Sequence, residues 1–482
     1  MLEIESHKYL KKFVKSQGLK WQHIYSFGRI VSKCLQAKEN YLINSLIFHT
    51  QEWFGALLIS LFLYKQDSML VLSKDQIHTL KETYLPLFKE FGFSFHLNKD
   101  EITCQTHKIS CLTYDSLVNN FCDSSFTNKR IILSGSENLR KNLKYIFHIA
   151  LFKKDWFSSS DFSSVNRRKI NNTYNYLKRS FFNRAVPDKN YVYLDKKEIE
   201  LLRDFLEESL PTNIKFYKVK LALNSDWACW VSLDYDKFEW ILHLEPIDEL
   251  NEIGKLFKEN SFIFLSASRN DNFLGKYIKE HKINLDLIIN FKSNYVEKKF
   301  LIYVPSRQII PNNPVFHDLI YQKCQKLILL RKGLNIVLID EKNLKIDLAT
   351  KLASEYGKKV FLENISEDED TIICASFSWW INHLHQFRSP KQIIVPLLPI
   401  PNLSDPINSL TVSYIKRQAG DWFRDFLLIE AFQLLDRSIE PLRMNSGRLV
   451  ILDGRTTSKQ WGRDLLRMLQ PSKVINYKFP FE

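Results

Sequence analysis

Apolar positions along this chain fall into short unbroken runs separated by stretches of helical spacing, and the two patterns alternate for most of its length. Residues 6 to 38 read as two helices, the second from Gln22 to Lys38. Tyr41 to Phe48 follows as a strand apolar on both faces, and Phe54 to Leu63 as an apolar helix. Ser68 to Ser73 predicts a strand, Asp75 to Phe91 a helix, Lys108 to Thr113 a strand, Asp115 to Phe121 a helix and Ile131 to Leu133 a strand. Such alternation implies a parallel sheet with helices on both faces. Residues 150 to 210 are mainly helical and close with Lys196 to Leu210. Trp227 to Leu233 and Phe238 to Leu244 predict a hairpin around Asp234 to Lys237, which returns the chain to the first sheet before Phe262 to Leu265.

A second α/β region begins near Phe300. Its expected strands are Lys299 to Tyr303, Asn335 to Ile339, Lys359 to Leu362, Thr371 to Cys374, Ile393 to Val395 and Leu449 to Leu452. A helix from Asn313 to Leu330 opens on Asn-Pro, a reasonable start signal. The length of 482 residues suits two or three cores, at about 100–200 residues each. The longest apolar run, Phe54 to Tyr64, is short of the roughly 20 residues that span a bilayer. Met1 to Gly18 is amphipathic and lysine-rich, without the apolar segment of a secretory leader. A soluble cytoplasmic protein with no membrane partner is expected.

The net charge of +14 points to a polyanionic partner. Residues 151 to 190 concentrate it, with nine basic residues against three acids and eight aromatics among them. Cations neutralise backbone phosphates and aromatic faces stack unpaired bases, so Arg167, Arg168, Lys169, Tyr174, Tyr176, Lys178, Arg179 and Arg184 are the expected nucleic-acid contacts. The plainer alternative is a helical insertion whose aromatics pack inward and whose lysines are solvated.

Several chemistries are excluded by composition. There are only 13 glycines, and the closest two, Gly447 and Gly454, are seven positions apart. A G-x-x-x-x-G-K-[ST] phosphate loop and a G-x-G-x-x-G fingerprint both need closer pairs, because glycine lets consecutive backbone N–H groups curl round phosphate oxygens. No G-x-S-x-G or H-E-x-x-H segment occurs. The acidic run Ser366 to Asp370 reads as a solvated loop, and His383 and His385 as structural or solvated. Asp421-Trp422 and Trp379-Trp380 suit either stacking or core packing, the commoner fate of tryptophan. The seven cysteines are scattered, with no C-x-x-C pair.

One segment carries more information than any other. The strand-like Gln392 to Val395 is followed by four prolines between Pro396 and Pro406, including Pro399 and Pro401, with Asp405 before the last. Proline fixes φ and removes a donor, so the chain must leave the sheet here as a stiff extended connection. Leu398 to Pro406 resembles the "LPFPxPxDP" stretch of DinG/XPD-type superfamily 2 helicases. Ser261 to Ser268, with Ser266 and Ala267, stands where that family has a strand ending in "TSAT". Thr371 to Trp380, with Trp379, resembles its strand followed by "FWEG". Arg448 to Arg455, with Asp453 and Arg455, and Ser458 to Arg463, with Gly462 and Arg463, resemble its terminal "vvilDxR…ksYGr" block. The four partial matches keep the family's order over roughly residues 255 to 470.

The resemblance implies an α/β protein with two RecA-like parallel-sheet motor domains and a helical, arch-like insertion in the first. The expected boundaries are 1–149 for the first part of the first domain, 150–212 for the insertion, 213–296 for the return strands and 297–482 for the second domain. The family uses ATP and Mg2+, yet its nucleotide motifs are worn in this chain. Where the phosphate loop belongs stands His49-Thr50-Gln51-Glu52-Trp53, followed by Gly55, with neither lysine nor a glycine pair. After the strand at 130 to 133, Ser134-Gly135-Ser136-Glu137 replaces Asp-Glu-x-His, leaving Glu137 as a poor magnesium anchor. The arginine-bearing last motif falls near Asp436 to Arg443 and keeps at best Arg443. A cyanobacterial branch of the family looks similar in these losses. Some relatives hold an iron–sulfur cluster on four cysteines between the first two motifs. Only Cys104, Cys111 and Cys122 occupy that interval here, so a cluster is not expected. Three readings follow: a helicase-like protein that binds single-stranded DNA with a degenerate ATPase, an active helicase with unusual nucleotide contacts, or a protein–protein adaptor on the same scaffold.

Overall fold

The uninterrupted apolar runs become strands buried on both faces, which is what a parallel sheet covered on two sides demands. A computed structural model describes residues 2–475 except 20, 22, 38, 50–51, 121–126, 158–163, 187–188, 209–213, 225–226, 269–273, 276–277, 280, 282, 292–299, 306–307, 367, 388–389 and 446. The chain divides into two units, Met1–Asn294 with Leu403–Tyr414, and Tyr295–Asn402 with Ile415–Glu482.

In the first unit the strands are β1 (Tyr41–Asn44), β2 (Ser68–Val71), β3 (Phe95–Asn98), β4 (Glu101–Cys104), β5 (Lys108–Leu112), β6 (Arg130–Ser134), β7 (Ile149–Leu151), β8 (Tyr191–Tyr193), β9 (Trp227–Asp234), β10 (Glu239–Pro246), β11 (Ser261–Ser266) and β12 (Leu287–Asn290). Eight of them form one sheet in the order β12-β1-β11-β6-β2-β5-β4-β3. It is parallel except for the β3–β4–β5 meander at one edge. β11 lies between β1 and β6, with Tyr41 opposite Ile263 and Ser261 opposite Arg130.

Helices α1 (Leu2–Gln17), α2 (Ile24–Gln36) and α3 (Phe54–Leu63) cover one face of this sheet. From Phe54 to Phe62 every residue of α3 is buried, so it is apolar all round because it is enclosed all round. Its one internal hydroxyl, Ser60, meets Ser6 of α1 and Ser32 of α2, each at 3.0 Å, which satisfies a polar group that would otherwise be buried alone. α1 comes close enough that a Cβ on Gly55 would sit 2.2 Å from the ring of Phe13.

The hairpin β9–β10 does not rejoin the first sheet. It forms a separate antiparallel sheet, β7-β10-β9-β8, packed against the helices of the insertion. Its burial pattern fits that placement. Along β10 buried and half-buried residues alternate strictly, the period of a sheet with one covered face rather than of a strand inside a parallel sheet. The insertion is therefore mixed α/β, and the chain re-enters the first sheet only at Ser261.

The second unit holds β13 (Phe300–Tyr303), β14 (Asn335–Leu338), β15 (Val360–Leu362), β16 (Ile372–Ala375), β17 (Gln392–Val395), β18 (Arg448–Ile451) and β19 (Ser472–Ile475). All are parallel, in the order β15-β16-β14-β17-β18-β13-β19. Its core gathers Ile320, Leu327, Val337, Leu348, Cys374, Ile394 and Val450. Among the described residues no helix is long and apolar enough to cross a membrane.

Candidate functional site

In open parallel sheets ligands sit at the carboxyl ends of the strands where the strand order reverses. In the first unit that place is the edge formed by the ends of β1, β11 and β6. The backbone N–H of Ser45 donates to the Ser266 carbonyl at 2.9 Å. Asn44 is fully buried, and its Nδ2 donates to Asn290 Oδ1 at 2.8 Å. Glu137 lies in a 3-10 turn entered through Gly135, whose φ of +70° is the left-handed region that glycine allows. Its Oε2 accepts the backbone N–H of Ala267 at 2.9 Å, so this carboxylate clasps the ends of β6 and β11 together. The segments 41–63 and 130–137 thus meet at one edge of one sheet.

The connection from β1 to α3 is filled with aromatic side chains. Ser45 is followed by a 3-10 turn, Leu46–His49, while Thr50 and Gln51 lie outside the described residues. Trp53 directly precedes the helix and is 0% exposed. Phe48 meets its ring edge-on at 5.2 Å and Phe54 at 4.8 Å. Tyr84 packs on Phe54 at 5.2 Å, its hydroxyl pushed up to about 12 by burial and by the nearby half-buried Glu52. Gly55, one residue into the helix, is covered by Phe13.

In the second unit Asp453 follows β18 and is fully buried. Its Oδ2 accepts the N–H of Leu398 at 3.0 Å and Nη2 of Arg455 at 2.6 Å, and its Oδ1 accepts the N–H of Arg455 at 2.9 Å. The aspartate and arginine of the terminal block therefore anchor the start of the proline-rich connection. Pro399 is buried, Pro401 and Pro406 are half-buried and Asp405 is exposed. Pro406 opens a helix, Pro406–Arg417, and most of that helix belongs to the first unit. A Cβ on Gly462 would lie 1.9 Å from the Thr456 carbonyl oxygen, so only glycine fits there. Arg463, beside it, is exposed. Trp379 is half-buried and stacks on His383 at 4.4 Å, while the buried Trp380 donates to the Ser438 carbonyl at 2.8 Å. Arg443 is 3% exposed and donates to Asp436 Oδ1 at 2.6 Å, with its guanidinium over Phe300.

The insertion's helix Ser164–Arg184 contains no acidic residue. Ile170, Tyr174, Leu177 and Phe181 form its buried stripe, and Tyr174 stacks on Trp240 at 4.9 Å. The opposite side exposes Arg168, Asn172, Asn175, Tyr176 and Arg179, with Tyr176 at 59%, and Arg167 and Asn171 are exposed at the flank of the stripe. Lys169 is half-buried, and Lys178 lies 4.4 Å over the ring of Phe238. Arg184 pairs with the buried Glu198 and with Asp195. Three of the eight residues singled out from sequence, Arg168, Tyr176 and Arg179, therefore share one open face, while Tyr174 and Arg184 are taken up by the fold. The three asparagines were missed. Their spacing with the arginines in an acid-free helix is the signal that would have found them.

Cys111 is buried in β5 and its thiol is pushed up to about 12 by burial, Cys104 lies on β4, and Cys122 is outside the described residues. Among the described residues no group of three or more His, Cys, Asp or Glu is placed to hold a metal ion. In the acidic run, Asp370 accepts the N–H of Gly333 and the ammonium of Lys359, and Glu367 lies outside the described residues.

No family model and no curated protein matches the chain. Solved structures do. An apo XPD structure is similar at 15% identity and a TM-score of 0.57, over 94% of this chain and 100% of that one. Xpd4 of S. tokodaii is similar at 12% identity and a TM-score of 0.61, over 94% and 100%. A structure named as an XPD helicase is similar at 14% identity and a TM-score of 0.58, over 94% and 99%. At these identities the likeness is one of fold. The chain has the fold of the XPD-type superfamily 2 helicases, with two RecA-like parallel-sheet units.

Proposed function

We propose that this protein is a helicase-like protein that binds single-stranded DNA and whose motor does not handle ATP. The observation that carries the reading is the aromatic filling at the start of α3. A triphosphate at such a helix end needs open backbone N–H groups, a lysine and a magnesium-holding acid pair. Trp53, Phe48 and Phe54 occupy that position instead, no lysine is present in the segment from Asn44 to Leu63, and Glu137 is engaged with Ala267. These residues do not fit ATP or Mg2+. Binding of nucleic acid is supported by the net charge and by the acid-free helix Ser164–Arg184, which exposes Arg167, Arg168, Tyr176 and Arg179, so that cations can meet phosphates and an open ring can meet a base.

The test is fluorescence anisotropy of a labelled oligo(dT) with purified protein across a salt series, with and without ATP and Mg2+. Binding is expected to weaken steeply with salt and to be unmoved by nucleotide. Charge reversal at Arg167, Arg168 and Lys169 is expected to lower affinity about tenfold or more and to reduce the salt slope by roughly 0.7 for each phosphate no longer neutralised. Hydrolysis of ATP stimulated by single strands would establish an active motor instead. Absence of affinity near physiological salt would point to a protein-docking role.

A further inference from the structure

The second unit carries an aromatic and basic patch to which the terminal block contributes Lys459, Trp461 and Arg463. A π-helical turn, Phe423–Leu427, buries Phe426 and Leu427 but leaves Phe423, and Trp422 before it, half-exposed. The half-exposed Trp461 of the helix Gln460–Met468 lies 5.7 Å from Phe423. Lys416 stands 4.9 Å over the ring of Trp422. Lys459 and Arg463 flank Trp461, are exposed, and form no ion pair among the described residues. The acids in the same two stretches are engaged with other groups of those stretches, and Asp421 also lies 3.8 Å from the Arg424 guanidinium. Asp421 accepts the N–H of Arg424, Asp425 accepts the N–H of Asp421, and Asp464 pairs with Arg467.

Trp422, Phe423 and Trp461 lie side by side, half in water and rimmed by Lys416, Lys459 and Arg463, and an apolar patch with a charged rim is the mark of an interaction site. A protein partner with an apolar face would strand Lys459 and Arg463, whereas a polynucleotide uses both features. Bases stack on aromatic faces regardless of sequence, and the cations meet the phosphates between them. Gly462 fixes the display, since its contact with Thr456 holds the helix so close that Trp461 and Arg463 leave it from a set position. We infer that Trp422, Phe423 and Trp461, with Lys416, Lys459 and Arg463, form a second stacking platform for unpaired nucleotides. This inference rests on the proposed nucleic-acid binding and adds a site to it.

Anisotropy with oligo(dT) and oligo(U) on the full-length protein tests it. Trp422→Ala and Trp461→Ala are each expected to lose about fivefold or more in affinity for both strands, nearly independently of salt. Trp461→Phe is expected to keep most of the binding, because a ring remains. Arg463→Glu, at an exposed position that leaves folding unaffected, is expected to flatten the salt slope. Unchanged affinity in both alanine variants and in Arg463→Glu, while reversal of Arg167 and Arg168 weakens binding, would overturn the platform and leave the function standing. Failure of the wild-type protein to bind either strand would overturn both.

Discussion

Single residues show most directly how the sheet edge has been closed. A methyl group on Gly55 would collide with the buried ring of Phe13, and α1 has no room to withdraw while Ser6 is tied to Ser60. Gly55→Ala is expected to destabilise the first unit by about 1–3 kcal/mol, the usual cost of overpacking, read as a lower urea midpoint. Glu245, on the half-open face of β10, offers a different test. Burial raises its carboxyl to about 7, against the pull of Lys144 and with Glu249 and Asp405 adding to the rise. In the unfolded chain the same group ionises near 4.5. Between those values the folded form keeps a proton that the unfolded form has released, so its contribution is complete below pH 4.5 and lost as pH rises to 7. His243, two residues earlier on the same face, is held down to about 4 by burial and has the opposite dependence, losing stability as pH falls from 6.5. Glu245→Gln removes only the first effect. Urea titrations at both ends of the window are expected to show the loss on raising pH shrink by on the order of 2 kcal/mol relative to wild type.

Among the elements, the proline-rich connection depends on one carboxylate. Asp453 is buried, and without it the N–H of Leu398 and the guanidinium of Arg455 lose their acceptor. Asp453→Ala is expected to cost the second unit about 3–5 kcal/mol, with Asp453→Asn milder because an acceptor oxygen remains; thermal unfolding of the purified variants measures both. Central strands such as β1, β14 and β18 were legible because burial on both faces imposes an unbroken apolar run. The edge strands β3, β12 and β19 were not, since an edge strand such as Phe95–Asn98 buries little and leaves almost no pattern. The hairpin β9–β10 was legible, but Trp240-Ile241-Leu242 runs apolar without a break, so neither its half-covered alternation nor the sheet it joins could be read. The aromatic roles in Ser164–Arg184 were also within reach. Ile170, Tyr174, Leu177 and Phe181 follow helical spacing, and that spacing separates the buried Tyr174 from the open Tyr176. The contacts of Asp453 and Glu137 were beyond reach, since each joins segments far apart in sequence.

For the molecule as a whole, the proposed function sets which ligands stabilise the folded state. A ligand that binds only the native form raises the melting temperature by mass action. Oligo(dT) is expected to raise it at low salt, and the rise is expected to fade as salt increases, while ATP with Mg2+ leaves it unmoved; a thermal melt with each ligand decides. An upward shift with ATP would contradict the account of Trp53. Under the proposed function, that indole also sets the cost of building a phosphate loop at this position. Grafting glycines and a lysine between 50 and 55 would empty a tryptophan-sized space and forfeit about 3–5 kcal/mol of packing. Bound nucleotide would offset about 4 kcal/mol only at roughly a thousandfold excess over its dissociation constant. Each intermediate on the way to a working phosphate loop would be a weaker protein than the one it replaced, so the proposed loss would act as a ratchet.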